Sequence, residues 1–182
     1  LARVLAQKPE ILLLDEPFSH IDNFLKNSLR RNIFKYLKEN GITCIVATHD
    51  FNDFLPFTDR VVVIRNNNII AKSRPIELYR NPRDLYIASL FGEATLISID
   101  VLKSYANTKR KIIVYAHEFK VSETSGIPVA VKNVYPMGSH YLMEGEGEDG
   151  NIIFFNASVD LAIGKEVFLN VSLETINQRL QQ

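Results

Sequence analysis

Ile11-Leu12-Leu13-Leu14-Asp15-Glu16-Pro17 is the stretch whose reading decides the fold. Four consecutive apolar residues without alternation suit a short strand buried on both faces, the habit of parallel sheets. Pro17 has no amide hydrogen to give a ladder, so the strand stops there. Asp15 and Glu16 then sit at the carboxyl end of a buried strand, where open α/β sheets bind ligands. An acid at that place can hold Mg²⁺, through water. A second acid beside it can orient or deprotonate an attacking water.

Outward from this strand the chain reads as helix and then strand. Asp22 or Asn23 can cap a helix. Leu25, Leu29, Ile33, Phe34 and Leu37 recur at helical spacing, with Lys26, Arg30, Arg31 and Lys38 mostly elsewhere. Gly41 is a suitable C-terminal cap. Residues 42–48, Ile-Thr-Cys-Ile-Val-Ala-Thr, form a second short buried strand. A strand–helix–strand unit is normally parallel, so both strands end on one edge of the sheet. His49 is thereby carried to the edge that holds Asp15 and Glu16. An imidazole there can donate to a phosphate oxygen.

Upstream, residues 1–7 read as the end of a helix closed by Lys8-Pro9. Downstream, residues 50–59 are helix or loop broken by Pro56, and residues 60–65 are a third strand. Asn66-Asn67-Asn68 makes a turn, since Asn tolerates positive φ, and residues 69–71 return as its partner. Short helices follow from Pro75 and over residues 85–91, ended by Gly92. After Glu93 the texture becomes β-rich: residues 95–102, 111–116, 129–135, 139–144, 152–156 and 166–171 read as strands. Glu148-Asp149-Gly150-Asn151 is a hairpin turn. Short strands at near-even spacing suggest a small barrel or sandwich.

The 182 residues allow one large or two small domains, and 46% hydrophobic residues support a core. Lys plus Arg and Asp plus Glu number 21 each, which leaves no net field for nucleic acid or anionic lipid. Lys109-Arg110-Lys111 reads as a solvated turn. The single cysteine, Cys44, lies in an apolar run and excludes an internal disulfide. No stretch reaches the roughly 20 apolar residues of a membrane span, and no signal peptide is visible. The first residue, Leu1, reads as the start of a fragment. His117 and His140 lack metal-ligand spacing and read as structural or exposed.

Taken in order, these segments resemble the ATPase domain of an ABC transporter. Residues 11–17 resemble its Walker B strand, Ser19-His20-Ile21-Asp22 its D-loop, and Thr48-His49-Asp50 its switch-histidine loop. Leu1-Ala2-Arg3-Val4-Leu5 resembles the helix after its signature sequence. Residues 60–92 are similar to the end of an importer ATPase domain, with Asn67 or Asn68 in place of the turn glycine and Arg74 before Pro75. Residues 131–138, with Tyr135-Pro136-Met137-Gly138-Ser139, and residues 161–169, with the Gly164-Lys165 turn, resemble the TOBE domain. Val171-Ser172-Leu173-Glu174 lacks the Arg and Pro of that family's closing motif.

The resemblance implies an α/β fold, part of a P-loop NTPase domain with a parallel core, over residues 1–92. An all-β, oligonucleotide/oligosaccharide-binding-like TOBE domain follows over residues 93–182. It makes Glu16 the catalytic carboxylate, His49 the γ-phosphate switch, Asp15 the Mg²⁺-linked acid, and Ser19 and Asp22 the D-loop contributors. His20 stands where the family prefers a small residue. ATP and Mg²⁺ are the implied cofactors. The implied partners are a second ATPase subunit, membrane permease subunits and, indirectly, a solute-binding protein, at the cytoplasmic face of the membrane.

No GxxxxGK[ST] loop, glutamine loop or LSGGQ-like signature occurs in the chain. The first functional reading is therefore the C-terminal part of an ABC-importer ATPase subunit, inactive alone. The alternative is a non-catalytic regulatory or assembly module, and a DNA-repair or chromosome-structure ATPase is a third. The resemblance also places a missing strand between residues 42–48 and 61–65. Residues 61–65 would then shift to pair with residues 42–48, or two copies would cover each other, and the second is favoured because it also hides the apolar faces.

Overall fold

The computed structural model describes residues 2–7, 9–102 and 110–180. Leu1, Lys8 and Lys109, which entered the readings of the first helix and the basic run, lie outside the described residues. The chain divides into two compact units, Leu1–Ile76 and Glu77–Gln182.

The first unit contains α1 (Ala2–Leu5), β1 (Ile11–Asp15), α2 (Asn23–Glu39), β2 (Thr43–Ala47), α3 (Phe51–Phe54), β3 (Val61–Arg65) and β4 (Asn68–Ser73). The strands β1 and β2 pair in parallel, from Ile11 opposite Thr43 to Asp15 opposite Ala47. Leu12 of β1 joins Phe18 and the α2 residues Ile33 and Leu37 in one buried cluster. Each of these side chains contributes about 2 kcal/mol by leaving water. Gly41, with φ of 65°, ends α2 in the left-handed region that glycine enters freely.

Two expectations are corrected here, and the strand shift, one of two alternatives, is not seen among the described residues. Neither strand of the pair is buried on both faces: Ile11 and Leu13 of β1 and Ile45 of β2 are 61%, 71% and 61% exposed. Among the described residues α2 packs on one face of this pair, and the alternate residues are left uncovered. Arg30 is not on the outer face of α2 but buried with Ile33 and Leu37. The strand β3 pairs with β4 and, among the described residues, has no ladder to β2. The β3–β4 turn is as read: Asn66 and Asn67 have φ of 50° and 61°, matching the twist of a tight hairpin.

The helix α4 (Pro75–Arg80) carries the chain into the second unit, which holds α5 (Leu85–Ser89), β5 (Ala94–Ser98), α6 (Ile99–Leu102) and β6 (Lys111–Tyr115). A 3₁₀ turn (Ala116–Glu118) leads to β7 (Phe119–Ser122), β8 (Ile127–Pro136), β9 (Tyr141–Gly147), β10 (Ile152–Ala157), β11 (Glu166–Val171) and α7 (Leu173–Leu180). Five strands form an antiparallel sheet in the order β10-β9-β8-β11-β7, and β5 pairs separately with β6. Val129, Val131, Met143, Phe155, Val167 and Leu169 are buried in its core. Thus mixed α/β structure is joined to a β-rich unit.

The strand read over residues 95–102 stops at Ser98, and Ile99–Leu102 is helical. The strand read over residues 139–144 is displaced to Tyr141–Gly147. The strand β7 and the helix α7 were not anticipated. Ser172 accepts a hydrogen bond from the Thr175 amide at 3.1 Å, a start signal for α7 visible in the sequence. Ile176 is then buried, and the Arg179 guanidinium donates to the Ile113 carbonyl and to Glu118.

Residues 77–92, read from the sequence as the end of the first domain, lie within the second compact unit. The Tyr79 ring stacks on Tyr115 at 5.0 Å, and the Tyr115 hydroxyl donates to the Tyr79 carbonyl at 3.1 Å. The helix α5 packs on β5 and β6. A piece comprising residues 77–182 should therefore unfold cooperatively in urea. A piece comprising residues 93–182, lacking Tyr79 and α5, should be less stable by about 2–4 kcal/mol. Equal stability of the two would show that residues 77–92 do not belong to this unit.

Candidate active site at the carboxyl edge of the parallel strands

The strand β1 ends as Pro17 demands, and the chain then turns sharply. The Glu16 amide donates to the Ala47 carbonyl at 2.9 Å, one rung beyond the Asp15–Ala47 pair. Glu16 adopts φ of 44°, a left-handed conformation that costs a non-glycine residue about 1 kcal/mol or more. The Ser19 amide and hydroxyl both donate to the Glu16 carbonyl, at 3.2 and 2.9 Å. Ser19 therefore holds the turn that presents Glu16.

The parallel register brings the end of β2 to the same edge. His49 Nδ1 lies 2.7 Å from Glu16 Oε1. The imidazole is 85% exposed and the carboxylate 36%. Hydrogen bonding to Glu16 raises the imidazole pKa above its ordinary value, and the charge of Glu16 adds to this. The contact therefore favours Nδ1–H donating to the carboxylate. That leaves Nε2 for a ligand: it donates to an incoming oxygen in the imidazolium, the form that the raised pKa favours.

Behind this pair lies a buried network that the sequence reading missed. Arg30 and Asp53 are 4% and 2% exposed. Arg30 Nε donates to Asp53 Oδ1 at 2.6 Å, and its Nη2 donates to Asp50 Oδ2 at 2.5 Å. The Thr48 hydroxyl donates to Asp53 Oδ2 at 2.7 Å and accepts from the Asp50 amide at 3.1 Å. Burial pushes the Asp50 carboxyl up. Hydrogen bonds from Asn52 and the Arg30 charge outweigh it and hold the group below the usual carboxylate range. The signal was present: Arg30 falls three residues before Ile33 and seven before Leu37, on the core stripe.

The other expected site residues are placed as follows. Asp15 is exposed at the strand end, beside Glu16. Asp22 occupies the N-cap position of α2, but its side chain makes no capping bond; its carbonyl accepts from the Leu25 and Lys26 amides. No described hydrogen bond joins Asp22 to the Glu16–His49 pair. Among the described residues no group of three or more His, Cys, Asp or Glu side chains is arranged to hold a metal ion. None of the described helices is long and apolar enough to cross a membrane.

The structure thus brings Glu16 and His49 into contact at the carboxyl edge of the strands, with Asp15 beside Glu16 at the end of β1. The homologues of this chain are ATP-binding subunits of ABC importers. The chain is 44% identical over 97 residues to a Fe(3+) ions import ATP-binding protein FbpC of Pseudomonas fluorescens, covering 53% of this chain and 27% of that protein. It is 33% identical over 166 residues to the spermidine/putrescine import ATP-binding protein PotA of Mycoplasma genitalium, covering 87% and 27%. It is 28% identical over 202 aligned residues to PotA of Mycoplasmopsis synoviae, covering 97% and 44%. The chain thus spans less than half the length of these curated relatives. No family model matches it.

The Glu16–His49 contact has a pH signature. A raised imidazole pKa means that the contact is at full strength below the ordinary histidine range and weakens as pH rises through the folded value. Glu16→Gln should move the His49 titration midpoint down toward the ordinary value, as followed by NMR of the imidazole protons. An unchanged midpoint would mean the two side chains do not meet in solution.

Proposed function

We propose that this chain is the C-terminal portion of an ABC-importer ATPase subunit that couples ATP hydrolysis to solute uptake. The observation that carries the reading is the Glu16–His49 contact at the carboxyl edge of two parallel strands. In this reading Glu16 accepts the proton of an attacking water, and His49 donates to the γ-phosphate. Asp15, exposed at the strand end, supplies carboxylate oxygens of the kind a hard cation takes, and Ser19 is a D-loop residue. Bound through water at Asp15, Mg²⁺ would neutralise charge on the phosphates. Asp22 serves as a D-loop residue facing a second ATPase subunit.

Asp15 would give Mg²⁺ a single carboxylate, and these residues do not make a metal or nucleotide site by themselves. The chain lacks a Gly-rich loop, whose backbone N–H groups and Lys hold most of a triphosphate's charge. The active unit is accordingly a dimer of complete subunits, with ATP between them. It is peripheral to the cytoplasmic face of the membrane, docks on permease subunits and is served indirectly by a solute-binding protein. The fold we assign is a partial P-loop NTPase domain followed by a TOBE domain; the resemblance puts the boundary at residues 92/93, while residues 77–92 pack with the second compact unit. The relatives import ferric iron or polyamines. Cargo specificity lies with the partner subunits, so the ATPase subunit does not itself choose between them.

Two measurements bear on this. Titration calorimetry of the 182-residue chain with ATP–Mg²⁺ should show no micromolar binding, and such binding would remove the argument from the missing loop. In the complete subunit, Glu16→Gln should retain ATP binding and lose turnover by about 100-fold or more, because an amide cannot take the water's proton. Hydrolysis near the parent rate would take the catalytic role from Glu16.

A further inference from the structure

We infer that Arg30 is a positioning residue for His49, clamping the backbone on either side of the histidine to α2 and so setting the imidazole against Glu16. The inference rests on the reading of Glu16 and His49 as the reacting pair. It identifies what holds that pair in place.

His49 itself is poorly anchored. Its side chain is 85% exposed, and its one described side-chain contact is with Glu16 at 2.7 Å. For one of its staggered rotamers to reach Glu16, the His49 backbone must stand at the right distance and angle. Its two chain neighbours are fixed. Thr48 is bonded to Asp53 through its hydroxyl and to the Asp50 amide, and Asp50 is bonded to Arg30. Asp53 closes the circuit by accepting from Arg30 Nε as well as from Thr48. The peptide of His49 is thus enclosed in a ring of hydrogen bonds whose hub is one guanidinium.

The chemistry of that hub is specific. Arg30 addresses two carboxylates from two nitrogens of a planar fork, which a lysine ammonium does not reproduce. Asn27 accepts from Nη1 at 3.2 Å, and the guanidinium lies 5.6 Å from the centre of the Phe18 ring. The fork is therefore locked by its own surroundings, and the geometry it imposes on residues 48–53 is rigid. Had the ion pairs served only to fasten α2 to α3, Asp53 and Arg30 would suffice. The inclusion of Thr48 and Asp50 extends the restraint to both sides of His49.

The test reads the proton position on the His49 ring. In the 182-residue chain, ring-¹⁵N NMR above the His49 titration reports which nitrogen carries the proton. A ring set against Glu16 keeps it on Nδ1. In Thr48→Val, which keeps the shape and removes the hydroxyl, and in Arg30→Met, the proton should shift toward Nε2. Arg30→Lys should recover part of the Nδ1 population lost in Arg30→Met. An unchanged Nδ1 population in the folded variants, or its absence in the parent chain, would overturn the inference. Should Arg30→Met prove unfolded by amide dispersion, Thr48→Val decides alone. The readout uses no nucleotide, so its failure leaves the ATPase reading standing. Retained turnover without Glu16 would in turn defeat that reading and not this one.

Discussion

The hydrogen bond from the Glu16 amide to the Ala47 carbonyl, 2.9 Å long, is the rung on which the site depends. It extends the parallel ladder past Asp15 and fixes how far β1 reaches along β2. Without that register the acid of one strand and the histidine of the next would not share an edge. The rung also holds Glu16 in a left-handed conformation that a glutamate would not choose alone. Strain of this kind persists only where neighbours over-determine it. Here they are the ladder on one side and the two Ser19 donors on the other.

The second constraint is electrostatic. Burying Asp53 and Arg30 would cost several kcal/mol for either charge alone, and the cost is offset because each meets the other with bonds to spare. The network replaces apolar packing at the middle of α2 with a directional one. Leu12, Phe18, Ile33 and Leu37 hold the helix on the sheet, and Arg30 sets where the chain after β2 must run. Apolar packing fixes the layer, and the ion pairs fix the loop.

Much of this was legible in the sequence because it follows from local rules. The run before Pro17, the period of α2 and the β-branched residues of β2 suffice for a parallel pair, and the pair suffices to bring His49 to Glu16. The paired Asn turn was equally readable. What escaped depends on context. Ile11 and Leu13 look like core residues, but their exposure depends on which layers are present to cover them. Arg30 looks like a surface charge until Asp50 and Asp53, more than a helix away in sequence, arrive to meet it. In the second unit, α7 was readable in principle, since Ser172 is a cap and Leu173, Ile176 and Leu180 keep helical spacing, but it is only eight residues long. Its anchor, Arg179 to Glu118, links residues far apart in the chain. Residues 77–92 lie in the second unit through contacts such as the Tyr79–Tyr115 stack, which no periodicity reveals.

The central claim is that the parallel register delivers an acid and a histidine to one edge. The most direct measurement is the scalar coupling transmitted across the hydrogen bond between the Glu16 amide nitrogen and the Ala47 carbonyl carbon. The account predicts a resolved coupling, with the Glu16 amide protected from solvent exchange to the same degree as the interior ladder amides of β1. No coupling, together with exchange at the rate of an open loop, would contradict it.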